Sequence, residues 1–91
     1  MFHMNYTKIY ASIVLRAQAE YRQRRSRQRQ GYYYELHHII PKSLGGIDRL
    51  TNRALLTAKE HFICHWLLVR MYPSGSPEYC KMLFAFWRMR S

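Results

Sequence analysis

Glu35-Leu36-His37-His38-Ile39-Ile40-Pro41, then Gly45-Gly46, then Asn52, then Glu60-His61 and His65: this run holds four of the five histidines of a 91-residue chain, and their order is its most informative feature. His61 and His65 stand four apart, so on a helix they project from one face about a turn from each other, near enough to share a metal ion. Two imidazoles do not complete a site. A third ligand has to come from outside the helix, and either His37 or His38 can supply it while the other stays free. A free imidazole, with an unperturbed pKa near about 6.5, suits a general base at neutral pH. Metal and base together make a hydrolytic site. The plainer alternative is a helical histidine pair arising by chance or belonging to a structural zinc site.

Local chemistry predicts the elements that carry these residues. Tyr32-Tyr33-Tyr34-Glu35-Leu36 is aromatic and strand-like, and Arg53 to Leu56 reads as a second strand anchored by Leu55 and Leu56. The loop between them is shaped by Pro41 and by Gly45-Gly46, and it leaves backbone groups that an Asn52 amide can bridge, holding His38 in place. Thr57-x-x-Glu60 forms a capping box ahead of an apolar run, so a helix starts there and continues to Tyr72, before Pro73 and Gly75. Glu60 is then expected as a cap, Trp66 as core, and Cys64 and Cys80 as small packed thiols. Glu35 is either an exposed strand residue or a carboxylate that orients a ligand histidine or an arginine from behind.

Further out lie two more helices. Asn5 or Thr7 can cap a first helix, whose buried face is Tyr6, Ile9, Tyr10, Ile13, Val14, Ala17 and Tyr21. Its expected continuation from Arg22 to Gln30, ended by Gly31, carries Arg22, Arg24, Arg25, Arg27 and Arg29. Ser76-Pro77 starts a last helix with Tyr79, Met82, Leu83 and Phe86 buried, while Trp87 and Met89 widen the apolar surface towards an interface, a homodimer or a longer native chain.

Composition bounds the partners. Fifteen Lys and Arg against five acidic residues give a net charge of +10, and eleven of the fifteen are arginine, whose planar fork suits phosphate. DNA, held mainly through its phosphates, is the expected partner, with Lys42, Arg49 and Arg53 as further contacts near the site. Two cysteines without a Cys-x-x-Cys give neither a disulfide framework nor a zinc ribbon, and no apolar run is long enough to span a membrane; the expectation is an intracellular protein of one domain. A chain this small buries only roughly 60–65% of its unfolded surface, so a histidine-held metal would also serve as a staple.

The segment from Tyr33 to Leu68 resembles the HNH endonuclease family, in particular the phage-type homing and head-associated nucleases, and its Glu35-Leu36-His37-His38 and His61-x-x-x-His65 are similar to the nuclease colicins. The resemblance implies a ββα-metal core, the His-Me finger, over 32–72; with the basic N-terminal helix over 5–30 and the C-terminal helix over 77–90 read from the residues, the expected chain is α+β. It implies that His37, His61 and His65 bind one divalent ion, that His38 activates water, and that Asn52 supports the loop. Many relatives have Asp in place of His37, and some have Asn in place of His61. The all-imidazole set favours zinc or nickel in affinity, whereas magnesium or manganese commonly supports hydrolysis in phage-type relatives. The implied reaction is metal-dependent hydrolysis of a DNA phosphodiester, leaving a 5′-phosphate and a 3′-hydroxyl. One site cuts one strand, so nicking is expected. The alternatives are a packaging-associated or degradative nuclease, and a non-catalytic, metal-stapled module that only binds nucleic acid.

Overall fold

The computed structural model describes residues 4–23 and 33–90. Among the described residues, α1 (Tyr6–Ala19) and α2 (Ala58–Met71) pack on a two-stranded antiparallel sheet of β1 (Glu35–His38) and β2 (Arg53–Leu56), and α3 (Pro77–Arg90) packs on α2, an α+β arrangement. The strands pair with Glu35 opposite Leu56, Leu36 opposite Leu55, His37 opposite Ala54 and His38 opposite Arg53. β1 therefore lies further along the chain than its tyrosines predicted, and both adjacent histidines are inside it. Side chains alternate between the faces of a strand, so this register separates the surroundings of His37 and His38.

Each helix begins where a side chain meets the free amides of its first turn. Asn5 accepts from the Lys8 amide at 3.0 Å. Thr57 Oγ1 accepts from the Glu60 amide at 3.1 Å while Glu60 Oε1 accepts from the Thr57 amide at 2.9 Å, completing the capping box and fixing the phase of His61 and His65 on α2. Ser76 Oγ accepts from the Tyr79 amide at 3.1 Å ahead of Pro77. α2 packs against both other helices, and Tyr10, Val14 and Ala17 of α1 join Ala54, Leu56, Cys64, Leu67, Leu68, Val69 and Met82 in one core.

The connection from β1 to β2 is a tight loop. Two short 3-10 turns, Lys42–Leu44 and Leu50–Asn52, fold it, and Gly45 takes a left-handed φ of 92° between them. Gly46 is required by space: a Cβ there would lie 1.7 Å from the Ile40 carbonyl oxygen.

Several expectations are corrected. α1 stops at Ala19, with Tyr21 at φ 50°, instead of continuing through Arg22. Arg22 folds back onto Glu60, and that tertiary ion pair outweighs the helix propensity of the local Gln and Arg residues. Tyr21 is consequently exposed. Trp66 is 41% exposed, lying edge-on to Tyr6 and under the Arg70 guanidinium, and is not core. Cys64 is buried as expected, but Cys80 is exposed on α3 near Phe84 and Trp87, which also face outward. Among the described residues, no helix is long and apolar enough to cross a membrane.

Candidate active site

β1 and α2 bring His37, His61 and His65 together. Their ring centroids lie 5.2 Å (His37 to His61), 5.2 Å (His37 to His65) and 4.8 Å (His61 to His65) apart, and one nitrogen from each falls within 4.8 Å of the others. Burial, reinforced by the neighbouring histidines, lowers the pKa of His37 to about 3, and burial with His61 alongside lowers that of His65 to about 4. Both rings are neutral at pH 7 with lone pairs available. His65 Nδ1 is buried and no protein group hydrogen-bonds to it. A buried ring nitrogen without a hydrogen-bond partner, in a group of three imidazoles, is one that a divalent cation would satisfy, and the donor set fits one.

The surrounding residues hold this cluster from behind. His61 Nδ1 lies 2.8 Å from Glu35 Oε1, so the β1 carboxylate fixes the α2 ring. Tyr10 Oη lies 2.6 Å from His37 Nε2 and donates to the Ile39 carbonyl at 2.6 Å. Burial raises the Tyr10 pKa far above that of an ordinary phenol, keeping it a hydroxyl. Glu60 sits next to His61 but points elsewhere, into Arg22 and the cap of α2.

His38 has different surroundings. Its Nε2 is 2.8 Å from Asp48 Oδ1, on an exposed loop. The hydrogen bond from His38, with a second from Arg53 Nε at 3.0 Å, lowers the Asp48 pKa to about 2, so the carboxylate can only accept. His38 Nε2 must therefore carry the proton in this pair. In the neutral ring that leaves a lone pair on Nδ1, the arrangement a proton acceptor needs.

Asn52 is buried beneath the same loop. Its Oδ1 accepts from the Ile40 amide at 2.8 Å, and its Nδ2 donates to the Ile40 carbonyl at 3.0 Å and the Ile47 carbonyl at 2.8 Å. The Asn52 carbonyl also accepts from the Ile39 amide at 2.9 Å. These bonds fix the backbone on both sides of the turn that carries Asp48.

The candidate phosphate contacts divide into four groups. Lys42 and Arg49 are exposed, with Lys42 Nζ 3.9 Å from Asp48 Oδ2. Arg53 is tied to Asp48 through Nε and through an amino group to the Asp48 carbonyl at 3.0 Å, leaving part of its fork outward. Arg22 does not present a phosphate contact. Its side chain is only 8% exposed, pairing with Glu60 at 2.5 Å and Glu20 at 2.9 Å, donating to the Leu55 carbonyl at 3.1 Å and covering the Tyr34 ring. Arg24, Arg25, Arg27 and Arg29 lie outside the described residues.

Asp48 and Tyr10 were missed in the sequence, although each left a signal. Asp48 is the only aspartate in the chain and stands between Gly46 and Asn52. Tyr10 falls on the buried face of α1, where a phenol needs a hydrogen-bond partner.

No family model matches the chain, and no solved structure matches it. It is similar to several proteins of Enterobacteria phage T4. It is 44% identical over 86 residues to "Probable mobile endonuclease E", covering 94% of this chain and 52% of that protein. It is 41% identical over 86 residues to "Probable mobile endonuclease C", covering 94% and 36%, and 39% identical over 84 residues to "Probable mobile endonuclease D", covering 92% and 30%. The chain thus spans between about a third and about half of these relatives. Almost all of it, the three-histidine cluster and the His38–Asp48 pair included, falls within similarity to phage proteins named as endonucleases.

Proposed function

We propose that this chain is the nuclease module of a phage homing-type HNH endonuclease, a ββα-metal fold that hydrolyses DNA phosphodiester bonds. The carrying observation is the contrast between two neighbours: His37 is buried and turned into a group of three imidazoles with the half-buried His61 and His65, while His38, one residue on, is partly exposed with its Nε2 tied to a carboxylate. The names of the phage relatives, probable mobile endonucleases, support the endonuclease part of this reading.

His37, His61 and His65 would hold one divalent ion. When bound, the ion supplies positive charge that offsets the negative charge developing on the phosphate and on the departing oxygen. His38 Nδ1 takes a proton from water, the resulting hydroxide attacks phosphorus in line, and the 3′ oxygen leaves and is protonated by solvent. Asp48 orients the His38 ring and stabilises it once protonated, as a carboxylate does for a catalytic imidazole elsewhere. Asn52 keeps the loop in register. Lys42, Arg49 and the outward part of Arg53 hold the phosphates beside the site, with Arg24, Arg25, Arg27 and Arg29 as more distant, sequence-independent contacts. One site cuts one strand.

The test is a supercoiled-plasmid assay with magnesium, manganese, zinc or nickel, run beside EDTA and His38→Ala. The expected result is metal-dependent conversion to nicked circles with 5′-phosphate ends, slowed about 10²- to 10⁴-fold in His38→Ala, the usual range for losing a general base. Salt-sensitive DNA binding without cleavage by any ion would instead identify a binding module.

A further inference from the structure

We infer that Tyr10, a residue of α1 outside the strand-loop-helix unit, is a positioning residue that fixes which nitrogen of His37 is a ligand. The inference rests on the reading of the three histidines as a metal site. The Tyr10 hydroxyl makes two contacts of 2.6 Å, one to the Ile39 carbonyl oxygen and one to His37 Nε2. A carbonyl has no proton, so the single phenolic hydrogen is committed to Ile39. The other contact is then made by a proton on His37 Nε2, donated to the phenolic oxygen.

That assignment leaves the His37 lone pair on Nδ1. The opposite tautomer would place two lone pairs against each other across 2.6 Å, or take the phenolic hydrogen away from the Ile39 carbonyl. Glu35 acts on His61 in the same sense, since a carboxylate facing Nδ1 selects the tautomer with its lone pair on Nε2. Two of the three histidines are thus each set by a partner from a different element. His37 is fixed by a neutral hydroxyl from α1, and His61 by a charged group from β1.

Tyr10 is also core: it is 5% exposed and packs in one cluster with Val14 and Ala17. A test has to separate its oxygen from its ring. Tyr10→Phe keeps the ring, and Val14→Ala loosens the same helix while touching no histidine hydrogen bond. The first readout is metal-independent: the ring nitrogens of His37 in the EDTA-treated full chain, labelled with nitrogen-15 and assigned by loss of the signal in His37→Asn. Wild type is expected to show a proton on Nε2 and a bare Nδ1, and Tyr10→Phe a mixture of tautomers. The second readout is cobalt(II) affinity from the visible spectrum, expected to fall roughly 10- to 100-fold in Tyr10→Phe and to stay near wild type in Val14→Ala.

A His37 proton on Nδ1 in wild type would overturn the inference. So would cobalt affinity equal in Tyr10→Phe and wild type, or weakened as much by Val14→Ala, which would reduce Tyr10 to packing. Absence of saturable cobalt binding by wild type would sink the metal-site reading itself, and the inference with it; the nitrogen spectrum would then still report whether Tyr10 selects the tautomer.

Discussion

His37 and His38 are bonded neighbours with opposite surroundings. The inner ring is 3% exposed, neutral by desolvation, and fastened by Tyr10 beside two other imidazoles. The outer ring lies by an exposed loop, tied to a carboxylate that two partners keep ionised. Strand alternation separates the environments, and the environments separate the chemistry: a cluster of imidazole lone pairs around a buried ring suits a cation, and a partly exposed imidazole backed by an anion suits proton transfer. One residue type serves both because burial and partner, not identity, set what a histidine does.

The comparison can be broken first at the inner site. His65→Ala removes a proposed ligand, and cobalt affinity is expected to fall by more than about 100-fold, beyond the range for losing an outer partner. Isothermal titration of the EDTA-treated protein would measure it, and unchanged affinity would remove His65 from the inner group. At the outer site, Asp48→Asn is expected to slow plasmid nicking roughly 10- to 100-fold with metal affinity unchanged, because the amide no longer fixes the His38 tautomer. If metal affinity fell as well, the two sites would not be separable.

Smaller effects sharpen the contrast. Gly46→Ala drives a methyl into the Ile40 carbonyl, and the loop must shift; the expected cost is about 2 kcal/mol, or a Tm lower by about 10 °C in a domain of this size. Calorimetry would show it. The pH dependence of the metal-free protein reports mainly on the inner site above about pH 5.5; below that the Glu60 and Asp48 carboxylates, held under their usual values by Arg22 and by His38 with Arg53, add to it. His37 and His65 have folded pKa values of about 3 and about 4 against an unfolded value near about 6.5, so below 6.5 the unfolded chain binds more protons than the folded one. Stability is therefore expected to be greatest above pH 6.5 and to fall as pH drops towards about 4. Urea midpoints in EDTA between pH 7.5 and about 4.5 that stayed level would contradict the neutral, buried state of these rings.

Much of this arrangement is legible in the residues. The Thr57 and Glu60 box sets the start of α2, and with it the common face of His61 and His65, because capping chemistry is local. Asn52 is legible for a related reason: a turn with Pro41 and two glycines leaves backbone groups that an amide can satisfy. What escaped depends on partners distant in sequence. Arg22 reads as one more cation in a basic run, yet it is drawn inward by Glu60, thirty-eight residues on, and takes the end of α1 with it. Tyr10 reads as core because periodicity reports burial and is silent on where a hydroxyl points. Trp66 shows the reverse error, since apolar character predicts burial but an amphipathic ring can be served by an edge contact and a guanidinium at the surface.

The division of labour between the adjacent histidines is the centre of this account, and one titration addresses it directly. Cobalt(II) affinity would be measured for His37→Ala and His38→Ala side by side, with circular dichroism to confirm that both fold. His37→Ala is expected to lose tight binding while His38→Ala binds as wild type does. Equal weakening of both variants, or loss confined to His38→Ala, would contradict it.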